Sequence, residues 1–128
     1  MLLHDYIEQN AERFPYKNAA IHVGGRINYF ELEAAVNRLA NQLLDFKLKP
    51  GERVGLLLES SINYIIAYFA ILKAGGVVVG LNSQGTIRDF RNILGDCDVT
   101  GLILGKNSGH VIKEIYQDIP SLKFIVSD

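Results

Sequence analysis

RVGLLLESSINYIIAYFAILKAGGVVVG, residues 53–80, decides the fold. RVGLLLE (53–59) is a continuous apolar run, the pattern of a central parallel strand covered on both faces. Ser60 or Ser61 supplies a helix cap. Ile62, Ile65, Ile66, Phe69 and Leu72 then recur at helical spacing, predicting a helix with that stripe inward. Lys73 falls in its last turn, where a cation meets the negative end of the helix dipole. Gly75 stands where a left-handed cap is usual. Gly76 to Val79 reads as a second buried strand.

Glycines beside a strand raise the question of a phosphate-binding loop. Anions bind at helix N-termini, where unpaired N–H groups point outward. Gly75-Gly76 follows a helix and precedes a strand, so carbonyls are the surplus groups there. The pair reads as a joint.

Downstream, Thr86 and Asp89 form a capping pattern before Ile87, Phe90 and Leu94. GLILG (101–105) is a third strand. Asn107 or Ser108 starts a last helix carrying Val111, Ile112, Ile115 and Ile119, and Leu122 to Val126 closes as a fourth strand. Upstream, Leu3, Ile7, Ala11 and Phe14 predict an amphipathic helix over 2–13, stopped by Pro15. Residues 18–23 and 26–28 predict an antiparallel hairpin about Gly24-Gly25. Asn28 and Glu31 fit a capping box, and Leu32, Val36, Leu39 and Leu43 mark a helix over 29–46. Lys49-Pro50-Gly51-Glu52 is turn chemistry.

Strands alternating with helices from residue 53 onward predict a parallel sheet with right-handed crossovers. The expected fold is α/β: a three-layer α/β/α Rossmann-like parallel sheet, preceded by an N-terminal helix and a short antiparallel hairpin. The 128 residues suit one domain, 1–128, and 48% hydrophobic content supports a packed core.

Net charge is -1, and basic residues such as Arg13, Lys47, Lys49, Arg88 and Lys113 are scattered. A nucleic-acid or anionic-membrane footprint needs clustered Lys and Arg, so neither partner is expected. Cys97 is the only cysteine, which rules out an intrachain disulfide and makes the cytoplasm the expected compartment. A small buried apolar role suits it better than a reactive thiol. The N-terminus is broken by His4, Asp5, Glu8, Glu12 and Arg13 and lacks the apolar middle of a signal peptide. The apolar run Ile65 to Leu72 is too short to span a bilayer.

Candidates for chemistry are few. Gly105-Lys106-Asn107-Ser108-Gly109 follows a strand and opens a helix, the geometry of an anion site. A Walker loop needs four residues before its Gly-Lys pair and a hydroxyl after it. Gly101 and Gly105 have three between them, and Asn107 follows Lys106, so an ordinary capped loop is the better reading. Glu59-Ser60-Ser61 and Asn82-Ser83-Gln84-Gly85-Thr86 lie at the carboxyl edge of the sheet, where open parallel sheets bind ligands. Both have modest content and read as surface loops. The histidines are His4, His22 and His110. His110 and Glu114 are spaced i, i+4, but two ligands do not make a zinc site. Asp96 and Asp98 flank Cys97 as turn residues. No Ser, His and acid arrangement can be assembled by spacing.

Three stretches carry a resemblance. INYFEL (27–32) followed by NRLANQL (37–43) resembles the first core motif of the adenylate-forming superfamily, roughly L-T/S-Y-x-E-L with N-R-L-A after it. That superfamily groups acyl-CoA synthetases, luciferases and peptide-synthetase adenylation domains. ILKAGGVVVGLN (71–82) resembles its second motif, roughly L-K-A-G-x-A/V-x-V-P-L-N/D. KPGERVGLLLESS (49–61) is similar to K-x-G-D-R-V-A-L-x-L-x-N-S. Order and gaps fit, and the resemblance covers essentially the whole chain. Asn28 replaces the usual Thr or Ser and caps as well. Gly80 stands where proline is usual, which loosens the exit from the strand.

The resemblance implies a two-step reaction. A carboxylic acid and MgATP give an acyl-adenylate and pyrophosphate, and the acyl group passes to a thiol of coenzyme A or a carrier-protein phosphopantetheine. It places the working parts elsewhere: a Ser/Thr/Gly-rich phosphate loop ending in P-K-G, a glutamate on magnesium, an aspartate on the ribose and a lysine in a mobile C-terminal domain. LNSQGT and GKNSGH are the nearest stretches here, and neither fits. So no catalytic, cofactor-binding or metal residue is assigned, and the chain is expected to be the N-terminal scaffold of an acyl ligase, inactive alone. Its expected partner is the remainder of such a ligase. Two rival readings are an interaction module that self-associates or pairs through its exposed face, and an independent nucleotide-binding domain using 105–109.

Overall fold

The apolar run at 53–59 forms the centre of the molecule. In the computed structural model, which describes residues 2–22, 25–59 and 61–127, it becomes the strand Arg53–Leu57. The elements in chain order are α1 (Asp5–Arg13), β1 (Asn18–His22), β2 (Gly25–Asn28), α2 (Tyr29–Asp45), β3 (Arg53–Leu57), α3 (Ile62–Lys73), β4 (Val77–Gly80), α4 (Ile87–Asp96), β5 (Gly101–Leu104), α5 (Gly109–Ile115) and β6 (Phe124–Ser127).

β3 to β6 make one parallel sheet in the order β4-β3-β5-β6. Side chains alternate across it, as period-2 geometry requires. Val54, Leu56 and Ile103 point into a core shared with α1, α2 and α3, and Leu57, Leu102 and Leu104 point into a second core under α4 and α5. Helices therefore cover both faces, as the α/β reading expects. β1 and β2 pair antiparallel, Ala20 opposite Ile27, and form a separate two-stranded sheet. Val23 of the expected strand and Gly24 of the expected turn lie outside the described residues.

Local sequence sets the helix starts. Asn28 Oδ1 accepts from the Glu31 amide at 2.8 Å, and Glu31 Oε1 accepts from the Asn28 amide at 3.2 Å, a complete capping box. Thr86 and Asp89 build a second, at 3.1 Å and 3.2 Å. Ser61 Oγ accepts from the Tyr64 amide at 3.3 Å, while Ser60 lies outside the described residues.

Three helices end in the same left-handed motif. After α2, Lys47 takes φ 68, with bonds Lys47 N–H to Leu44 O and Leu48 N–H to Leu43 O. After α3, Gly75 takes φ 88, with Gly75 N–H to Leu72 O and Gly76 N–H to Ile71 O. After α4, Asp98 takes φ 50, with Asp98 N–H to Gly95 O and Val99 N–H to Leu94 O.

Several expectations need correction. The first helix begins at Asp5, not residue 2, because the chain before it is spent on a turn closed by Asp5 N–H to Leu2 O. Of its expected stripe only Ile7 is buried; Leu3 and Phe14 are exposed. The buried face of α3 is Ala67, Ala70 and Ile71, and the expected Ile62, Ile65, Ile66, Phe69 and Leu72 stripe is half-buried. Alanines let this helix approach its neighbours closely. β4 is an edge strand with Val77 exposed, not a buried one. Ser108 stands at the N-cap position of the last helix, as expected, but its side chain makes no cap hydrogen bond; Lys106–Ser108 is a 3-10 turn, α5 has only seven residues, and Ile119 is buried beyond it. Cys97 is half-buried at the end of α4, and its carbonyl accepts from Arg53 Nη1 at 2.9 Å.

Candidate functional site

In an open parallel sheet the crevice forms where neighbouring strands send their connections in opposite directions. That reversal lies between β3 and β5: β3 leads to β4 on one side, β5 to β6 on the other. α3 and α5 then depart on opposite faces. Between the carboxyl ends of the two strands is an open cleft of about 200 Å³, lined by Leu58, Glu59, Ser61, Asn63, Gly105, Lys106 and Asn107. The fold thus joins two of the loops singled out in the sequence, 59–61 and 105–109.

The chemistry of this cleft is restrained. Glu59 and Lys106 are exposed on its two lips. The Ser61 hydroxyl is committed to the cap of α3, and the Gly105 amide donates to the Leu57 carbonyl at 3.0 Å, extending the ladder. Ser108 N–H closes on Gly105 O at 2.9 Å. The cleft offers one carboxylate, one ammonium and polar side chains, an arrangement for contact rather than for proton transfer.

The third loop stands apart. Asn82 Oδ1 accepts from the Gln84 amide at 2.9 Å, and the Asn82 carbonyl from the Gly85 amide at 2.9 Å. With the Thr86–Asp89 box, these bonds engage the Gln84, Gly85 and Thr86 amides within the turn. Asn82, Gly85, Asp89 and Phe90 border a separate groove of about 250 Å³.

Gly75-Gly76 lies at the opposite, amino-terminal edge of the sheet. Both amides bond back to α3, and the Gly75 carbonyl accepts from the Gly51 amide at 2.9 Å. A Cβ on Gly76 would stand 3.0 Å from Ile71 Cγ2, 3.2 Å from Leu48 Cδ2 and 3.3 Å from the Glu52 carbonyl. The pair is a joint: Gly75 for its φ, Gly76 for its lack of room.

His110 and Glu114 are exposed on α5, and His4 is 3.6 Å from Asp5. The side chain of His22 lies outside the described residues. Among the described residues no three of His, Cys, Asp and Glu come together as a metal site.

Two charged clusters were not visible in the sequence. Lys73 Nζ lies 2.7 Å from Glu8 Oε1 and 2.7 Å from Glu33 Oε1, tying α1, α2 and α3 together. Asn37 Nδ2 donates to the same Glu33 oxygen at 3.0 Å. Burial pulls the Lys73 pKa down, but the hydrogen bonds and charges of Glu33 and Glu8 outweigh it, and the net shift is upward. Glu52 accepts from the Lys49 amide at 2.7 Å and from the Thr100 hydroxyl at 2.9 Å. The Lys49 bond, opposed by desolvation and helped by Thr100, holds its carboxyl below the usual range. Both clusters cross-link structure. The Lys73–Glu8, Lys73–Glu33 and Thr100–Glu52 contacts join residues far apart in sequence, which no spacing rule reveals, whereas the Lys49–Glu52 and Asn37–Glu33 bonds are local.

The sequence model of the AMP-binding enzyme family matches residues 7–127. Surfactin synthase subunit 2 of Bacillus subtilis is 31% identical over 107 residues, which is 84% of this chain and 3% of that protein. The medium/long-chain-fatty-acid–CoA/3-oxocholest-4-en-26-oate–CoA ligase of Mycobacterium marinum is 26% identical over 122 residues, 95% of this chain and 22% of that protein. The crystal structure of the anthranilate CoA ligase AuaEII in complex with anthranoyl-AMP superposes with a TM-score of 0.94 at 26% identity, covering 100% of this chain and 25% of that one. The chain spans a quarter or less of each of these three relatives.

Proposed function

The chain belongs to the AMP-binding enzyme family, and from that premise we propose that it is the N-terminal scaffold of an AMP-forming acid–thiol ligase. In the proposed reaction a carboxylate attacks the α-phosphorus of ATP and pyrophosphate leaves. The acyl-adenylate is a mixed anhydride, so a poor leaving group has become a good one. A thiol, of coenzyme A or a phosphopantetheine arm, then takes the acyl group and AMP departs. The likeness to ligases of both acceptor types supports a thiol acceptor. The cytoplasm is the proposed compartment, and no helix among the described residues is long and apolar enough to cross a membrane.

The observation that carries this reading is the superposition of the whole chain on a quarter of the anthranilate CoA ligase, whose structure holds anthranoyl-AMP. Among the described residues no three of His, Cys, Asp and Glu gather, and no magnesium ligand is proposed in this chain. No phosphate loop is proposed here either: Gly75 and Gly76 spend their amides on the end of α3, and Gln84, Gly85 and Thr86 spend theirs within their own turn. No chemical step is therefore assigned to a residue of this chain. Residues 1–128 supply the sheet and helix layers, and further polypeptide supplies the reacting groups.

Hydroxylamine trapping tests this. The product of the complete reading frame, given ATP, magnesium and a panel of carboxylic acids, is expected to yield an acyl-hydroxamate with at least one acid. Residues 1–128 alone are expected to yield none. Hydroxamate from 1–128 alone, or none from the complete product with any acid class, overturns the proposal.

A further inference from the structure

Among the described α-helices, α1 buries the fewest side chains: Ile7 alone. Its N-cap residue His4 makes no side-chain cap bond, and Tyr6 and Phe14 are exposed. Ile7 faces a groove that it shares with Ile65 and Phe69 of α3. Beyond the helix the chain is fixed. The Phe30 amide donates to the Pro15 carbonyl at 2.9 Å, and the Tyr29 amide to the Lys17 carbonyl at 3.0 Å. α1 therefore hangs from a joint bonded to the start of α2. Among the described residues, its one ion pair to another element is Glu8 to Lys73.

Lys73 Nζ serves two carboxylates that are not equally committed to it. Glu33 is half-buried, and its Oε2 is buried without a hydrogen bond, so this carboxylate depends on the ammonium beside it. Glu8 is exposed, and water solvates it when it leaves. Lys73 attracts Glu8 while Glu33 repels it. Breaking an ion pair is costly when a buried charge is left without a partner. Here Lys73 keeps Glu33 when Glu8 departs. Local opening draws on segments with few buried apolar contacts, and α1 is such a segment. We propose that α1 is a latch helix, which swings open as a unit about residues 14–17, leaves Lys73 paired to Glu33 alone and bares Ile65 and Phe69 of α3.

Amide hydrogen exchange on the product of the complete reading frame tests it, with the β3 amides as the internal reference for an intact fold. The α1 amides are expected to exchange together, on the order of tenfold or more faster than those of β3. Glu8→Gln is expected to speed them about two- to fivefold, the worth of an exposed ion pair, and to leave β3 unchanged. Glu33→Gln is expected to slow them, because it removes the repulsion on Glu8 and leaves Lys73 with Glu8 as its only carboxylate. Raising sodium chloride from about 0.05 M to about 0.5 M is expected to speed α1 in the wild type and not in Glu8→Gln. Exchange of α1 at the rate of β3 overturns the proposal, as does a salt response that survives Glu8→Gln. Faster α1 exchange in a folded Glu33→Gln protein also overturns it, since the three charges then merely hold the helices together. If Glu33→Gln does not fold, the Glu8→Gln and salt measurements decide between the same outcomes.

Discussion

The Gly51 amide donates to the Gly75 carbonyl over 2.9 Å, so the turn that feeds β3 is bonded to the turn that feeds β4. Both glycines have positive φ, 81 and 88, and the Gly75 amide closes the end of α3. One short stretch thereby sets where a helix stops and how two strands enter in register.

Substitution at this joint separates two causes. Gly75→Ala forces a side chain into the left-handed region and is expected to cost about 1–2 kcal/mol. Gly75→Asn, which tolerates that region, is expected to cost less. Gly76→Ala is expected to destabilise for a different reason, crowding against Ile71, Leu48 and the Glu52 carbonyl, each of which must yield by a few tenths of an ångström. Urea unfolding midpoints read all three; an Asn variant less stable than the Ala variant contradicts the φ argument.

Phe124 packs over Gly101 and stacks on Phe46 with ring centroids 5.2 Å apart. A Cβ on Gly101 would collide with the Phe124 ring. Gly101→Ala is expected to destabilise by about 1–3 kcal/mol, the usual range for overpacking. Adding Phe124→Leu is expected to recover part of the loss. Additive losses in the double variant exclude that steric account.

The acid and alkaline limbs of stability have separate origins. The depressed Glu52 carboxyl contributes stability that is present above the ordinary carboxylate range and is lost as pH falls through its folded value. The raised Lys73 ammonium contributes stability that is full below the ordinary lysine range and is lost as pH rises through its folded value. Lys73→Met is expected to cost about 1–2 kcal/mol near neutral pH. That difference should shrink above the lysine range. A difference from wild type that stays constant into strong alkali would show that the ion pairs contribute nothing.

If 105–109 were a nucleotide site, ligand at a hundredfold excess over its dissociation constant would stabilise the fold by roughly 2.7 kcal/mol. Millimolar ATP, AMP or coenzyme A is expected to leave the melting temperature of residues 1–128 unchanged. A shift abolished by Lys106→Ala would reinstate the independent nucleotide-binding reading.

The sequence disclosed what is local. Asn28–Glu31 and Thr86–Asp89 announce helix starts because both partners of each capping box lie three residues apart. VGLLL discloses a central strand because burial on both faces removes the polar alternation. α3 is harder to read because residues 64–72 are apolar or aromatic throughout, so spacing alone does not tell its buried alanines from its half-buried isoleucines. β4 reads as buried because three valines in a row do not record whether a neighbour strand exists. α5 looked longer because Ile119 keeps helical spacing after the helix has ended. The switch-point cleft depends on strand order, and the contacts of Lys73 with Glu8 and Glu33 and of Glu52 with Thr100 depend on how distant elements pack; spacing along the chain encodes neither.

The most direct measurement is the coding sequence that follows codon 128 in the native locus. The expected result is an open frame that continues into a Ser/Thr/Gly-rich loop ending in Pro-Lys-Gly, which makes these residues the scaffold of an acyl ligase. A stop codon immediately after Asp128 would contradict it, leaving the AMP-binding relationship as ancestry without the ligase activity.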